Sequence, residues 1–155
     1  MLIQIINLLL LLVIALAAAY IAYKLYLVDQ EKTKTGLLYE KRLGVYREVV
    51  RLLSLVTRDG DVSNNELLAF RSKTHEAHFL FDKTIANYID ELHYRSTKLR
   101  STNERMQSNA LPIGEERDGV TVENSRQLIW LADQLPLIKN KFDLYLDLQV
   151  LDSNE

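Results

Sequence analysis

Cysteine is absent from this 155-residue chain, which excludes disulfides, cysteine-based zinc centres and thiol nucleophiles, and suits a reducing compartment. Only five glycines and two prolines are present, too few for a turn-rich β architecture. Leu, Glu, Lys, Arg and Ala dominate instead, and these residues favour helix. No Gly-x-Ser-x-Gly elbow, phosphate-cradling glycine loop or dinucleotide fingerprint occurs. The 19 basic and 21 acidic residues are well mixed and give a net charge of −2. No basic stripe interleaved with aromatics emerges, so nucleic acid is not an expected partner. Neither a cofactor nor a small-molecule substrate is expected, and the chain reads as a non-enzyme.

The largest absence is of charge: Met1 to Tyr23 holds no Lys, Arg, Asp or Glu. The apolar run from Leu2 to Ala22 forms, at 1.5 Å per residue, a helix of about 31 Å, close to the thickness of a bilayer core. The expectation is a single transmembrane helix with the lipid bilayer as partner. A cleaved signal peptide is the weaker alternative. It would carry a basic n-region and a shorter apolar stretch, although Ala15-Leu16-Ala17 and Ala17-Ala18-Ala19 have the form of cleavage sites. Lys24, Lys32, Lys34, Lys41 and Arg42 follow the run and none precedes it. The positive-inside rule then places the N-terminus outside and the C-terminal domain in the cytoplasm, at the inner membrane. Tyr20, Tyr23 and Tyr26, with Lys24, read as an interfacial belt.

One face of the run differs from the rest. At 100° per residue, Gln4, Asn7, Leu11, Ala15, Ala18 and Ala22 fall within an arc of about 80°. Small residues let helices approach closely and amides can bond a neighbour, so this is a candidate contact face for another copy or a partner. The alternative is that Gln4 and Asn7 reach toward headgroups and the alanines have no role.

Residues 1–27 are thus read as anchor and interfacial end, 28–36 as a polar link, 37–150 as a cytoplasmic helical bundle, and 151–155 as a frayed tail. The fold class is all-α, a single span followed by an antiparallel bundle of three to four helices. The first helix of the bundle covers about 37–57, with Tyr39, Leu43, Tyr46, Val50 and Leu53 as its stripe, widened by Val49, Leu52 and Val56. It either continues the anchor or hinges near Gly36. Asp59-Gly60-Asp61 makes a turn, and Ser63-Asn64-Asn65-Glu66 is a capping box opening a helix that runs toward Phe81. Phe79-Leu80-Phe81-Asp82 marks a packed corner, as a kink or a break. Asp82 caps a helix whose stripe is Ile85, Tyr88, Ile89, Leu92, Ser96 and Leu99. Pro112, Gly114 and Gly119 place a loop near 108–120. A last helix starts at Thr121, kinks at Pro136, and carries Leu128, Leu131, Ala132, Leu135, Ile138 and Phe142 inward, with Trp130 in the core.

Tyr39-Glu40-Lys41-Arg42 with Val45-Tyr46, Asp59-Gly60-Asp61, and Ala77-His78-Phe79-Leu80-Phe81-Asp82 together resemble a widespread group of short uncharacterised bacterial hypothetical proteins. The resemblance covers about 37–150 and implies a bacterial source and a helical domain. It carries no activity and no site.

Little chemistry is spelled out. His75 and His78, at i and i+3, are the nearest approach to a metal pair, but the zinc-protease motif needs i, i+4, and solvent-facing polar residues are the plainer account. No metal site is expected. Asp59-Gly60-Asp61-Val62-Ser63 opens like a calcium loop, yet Asn64 and Phe70 stand where glycine and a bidentate glutamate are required. The leading expectation is a single-pass membrane protein whose helical domain associates with itself or with a protein partner. The alternative is a membrane-active, toxin-like or defence effector whose assembled spans permeabilise the bilayer.

Overall fold

The helix-favouring composition yields only helices among the described residues. The computed structural model describes residues 2–108 and 114–147; the side chains of 2, 3, 5–10 and 28–34 are outside that description. The elements are α1 (Leu2–Asp59), α2 (Asn64–Thr74), α3 (Ala77–Leu80), α4 (Lys83–Gln107), α5 (Glu115–Gln134) and α6 (Ile138–Leu146). The chain divides into two compact units, Met1–Leu38 and Tyr39–Glu155.

In the first unit α1 is helical through Gly36, because one glycine costs only about 1 kcal/mol of helix propensity against many favourable neighbours. Among the described residues no helix is long and apolar enough to cross a membrane. This overturns the expected placement of a single-pass span in the inner membrane with a cytoplasmic C-terminal domain. The described apolar side chains ahead of Lys24 run only from Leu11 to Tyr23, about 20 Å of helix, short of a bilayer core. The earlier part of the expected span, apart from Gln4, lies outside the described side chains.

The second unit is a helical bundle. Val45, Val49, Leu52, Leu53 and Val56 of α1 are buried, whereas Tyr39, Leu43, Tyr46 and Val50 are only half-buried. The inward stripe is therefore centred on the aliphatic residues, leaving tyrosine hydroxyls at the margin where they stay wet. Gly60 turns the chain at φ +67°, a conformation that glycine adopts without strain. Ser63 and Glu66 close the capping box: Ser63 Oγ accepts from the Glu66 amide, and Glu66 accepts from the Ser63 amide at 2.8 Å. The corner after α2 is a break. Phe81 is extended at φ −131°, ψ 171°, and Asp82 caps α4 by accepting from the Ile85 amide at 3.0 Å.

Helix α4 buries Ile85, Ala86, Ile89, Leu92, Ser96 and Leu99. It packs most extensively on α5. The pairing is antiparallel, because Arg105 meets Glu116, Asn103 meets Asn124, and Arg95 meets Gln127. Helix α5 starts at Glu115, six residues ahead of the expected Thr121 start. Glu115, Glu116 and Asp118 in its first turn complement the positive end of the helix dipole. Thr121 donates to the Arg117 carbonyl within the helix and caps nothing. At Pro136 the chain turns and begins again as α6, a break where a kink was expected.

Candidate association surface

Two features of the described residues could engage another molecule, one in each unit. In the first unit, the apolar side chains of α1 from Leu11 to Leu27 are exposed around the helix, among them Leu11, Leu12, Val13, Ile14 and Leu16. A helix that is apolar all round is ordinarily covered by something. Gln4, Leu11, Ala15, Ala18 and Ala22 are exposed, and the side chain of Asn7 lies outside the described residues. Tyr20, Lys24, Tyr23 and Tyr26 are likewise exposed.

In the second unit a cleft of about 350 Å³ opens between α1 and the corner joining α2 to α3. Gly44, Val45 and Leu80 supply its apolar lining, and Lys41, Ser72, Lys73, His75 and Glu76 its polar lining. Gly44 lies mid-helix, and a methyl group added there would meet nothing within 4 Å. An alanine would strengthen α1 by about 1 kcal/mol, so the glycine leaves a hollow at a cost in helix propensity.

Charged side chains brace the edge. Lys41 donates to Glu76 at 2.9 Å, and this bond holds the Glu76 carboxyl below its ordinary range. Glu48 lies one turn beyond Gly44 with its side chain only 7% exposed. Burial pushes its carboxyl up, but Arg51 at 2.6 Å and Lys73 at 3.1 Å more than offset that and hold it low. On the far side, Arg42 Nε donates to the Leu80 carbonyl at 2.9 Å, and its guanidinium lies over the Phe81 and Tyr145 rings. Phe81 and Tyr46 pack edge-on against the buried Phe142. The four-residue α3 is thereby clamped in place.

On α3 sits Phe79, the most exposed large apolar side chain among the described residues at 89%. Its neighbours Leu80 and Phe81 are each 8% exposed. Leaving a phenylalanine in water forgoes most of the roughly 1.5–3 kcal/mol that burial would supply.

No metal pair forms. His78 Nε2 meets Asp90 at 3.0 Å, whereas His75 Nδ1 turns to the Ser72 carbonyl. Among the described residues no group of three His, Asp or Glu is gathered as for a metal ion. Asp90 also takes Arg71 at 2.6 Å, so it ties α2 and the α3 histidine to α4.

No family model, curated protein or solved structure matches this chain.

The sequence placed Phe79 inside a packed corner and gave no hint of the cleft. The available signals were Gly44 beside Val45 in an otherwise good helix, and three consecutive apolar residues that cannot all face one way.

Proposed function

We propose that this chain is a non-enzymatic association protein, and that the α1 segment from Leu11 to Leu27 packs against the same segment of other copies. The observation that carries this is the apolar surface exposed around α1 there. Ala15, Ala18 and Ala22 on one side let helix axes approach toward the short end of the usual 8–10 Å range. The described ionisable groups support a binding role over a catalytic one: they brace helix corners or pair along the surface, as Arg58 with Asp59 and Arg126 with Glu123.

Because the chain has no cysteine, single substitutions report cleanly. Disulfides need Cα atoms within about 7 Å, which only the line of closest helix approach supplies. Cysteine at Ala15, Ala18 or Ala22, in purified protein exposed to a mild oxidant, is expected to give crosslinked dimer. Cysteine at Val13, Leu16 or Tyr20, on the opposite side, is expected to give little. Equal yields at all six positions, or none at any, would defeat the proposal.

A further inference from the structure

The cleft and Phe79 lie beside one another: Leu80, the residue after Phe79, walls the cleft, and Glu76, three before it, stands at the edge. We propose that the cleft receives the Phe79 ring of a second copy of this chain, so that two copies exchange rings about a two-fold axis. This surface is in the second unit and goes beyond the association proposed for residues 11–27.

Three observations select a second copy as the occupant. First, an isologous pair needs one patch holding both a projection and a matching hollow, and this patch holds both. The hollow, about 350 Å³ with Gly44 and Val45 beneath it, has room for one aromatic ring. Second, the edge carries both signs of charge. Lys41 and Glu76 remain 47% and 41% exposed in their ion pair, so a two-fold mate can set its Glu76 against a lysine of the first copy. An apolar floor inside a charged edge is the usual anatomy of an anchor pocket. Third, the backbone that carries the ring is fixed. The Phe79 amide donates to the Glu76 carbonyl at 2.9 Å, the Phe81 amide to the Ala77 carbonyl at 3.0 Å, and Arg42 donates to the Leu80 carbonyl. Docking then orders the ring alone and no backbone.

The test uses the full chain with a diazirine-bearing phenylalanine at position 79, mixing isotopically heavy and light protein before irradiation. Mass spectrometry then separates crosslinks between copies from those within one. Heavy–light crosslinks from position 79 to peptides covering 41–48 or 72–76 are expected. A Gly44→Leu substitution fills the hollow and should lower their yield by about tenfold, the loss typical of a blocked anchor pocket. Leucine is a better helix former than glycine and its Cβ meets nothing within 4 Å, and an unchanged thermal melt of the variant confirms that the fold is kept. Unlabelled Phe79→Ser protein, altered only at an exposed position, should lose the same contact when a photoreactive group is placed at Lys73. The inference is overturned if the crosslinks lie within one copy, reach only other proteins or other segments, or persist in Gly44→Leu. The cysteine scan of residues 13–22 reads a different surface, so either proposal can fail while the other stands.

Discussion

His93 stacks on Phe70, with ring centroids 6.4 Å apart and planes 10° from parallel. Burial against that ring, reinforced by the positive charge of Arg71, pulls its pKa below the ordinary imidazole value, and Asp90 opposes this only in part. The folded protein therefore prefers neutral His93. The sign follows: below about pH 6.5 the unfolded chain binds a proton that the folded chain resists. Stability is full above that value and declines as pH falls toward the depressed folded pKa. Glu48, Glu76 and Asp82 have lowered pKa values, so their contributions are present above the ordinary carboxylate range and are lost only at lower pH. The interval from pH 7.5 to 5.5 lies above the carboxylates, and the substitution separates His93 from His75 and His78, which also stand in the folded surface. Urea midpoints should drop more across it for the native chain than for His93→Phe, which keeps the stacked ring. A parallel drop in both proteins would show that another group is responsible.

Helix by helix, legibility followed the chemistry of the buried face. Helix α4 was readable because its inward residues, Ile85, Ile89, Leu92 and Leu99, are apolar at helical spacing, and Asp82 announces its start. The buried face of α5 is Val120, Asn124, Gln127, Leu131 and Gln134, three amides among five residues. Hydrophobic periodicity cannot find such a face, since each amide is tolerated only by its partners. Asn124 donates to Asn103 at 2.6 Å and to Thr102 at 2.9 Å, and Asn103 in turn donates to the Gly60 carbonyl at 3.0 Å. Pattern alone turned the helix toward Leu128 and Leu135, which are only half-buried. The same sequence logic assigned Gly119 to a loop, whereas it lies inside α5 with open space where a Cβ would sit. Gly119→Ala should consequently stabilise the protein by about 0.5–1 kcal/mol, measured by urea denaturation. In a loop that required glycine's positive φ, the same change would destabilise.

For the molecule as a whole, the division at Leu38 and Tyr39 separates two kinds of surface. The exposed apolar stretch of α1 was legible because uncharged residues stand out over one long run, whereas the cleft between α1 and the α2–α3 corner was not. That cleft depends on a broken helix bringing residues 72–80 against 41–45, which no local pattern encodes. All the buried apolar side chains among the described residues, from Val45 to Phe142, belong to the second unit. Its ion pairs, from Lys41–Glu76 to Arg126–Glu123, also close within it. A domain that contains its own core and its own charge partners should fold without the preceding segment. A chain beginning at Tyr39 is therefore expected to unfold in one cooperative thermal transition, within a few degrees of that of the full-length protein. The truncation removes Ala15, Ala18 and Ala22 but retains Phe79 and Gly44, so it should lose the first mode of association and keep the second. Sedimentation of the fragment against its Gly44→Leu form measures this directly. A broad, non-cooperative melt would mean that residues 1–38 are needed to complete the core. A sharp melt with a strictly monomeric fragment would leave the α1 segment as the sole route to association.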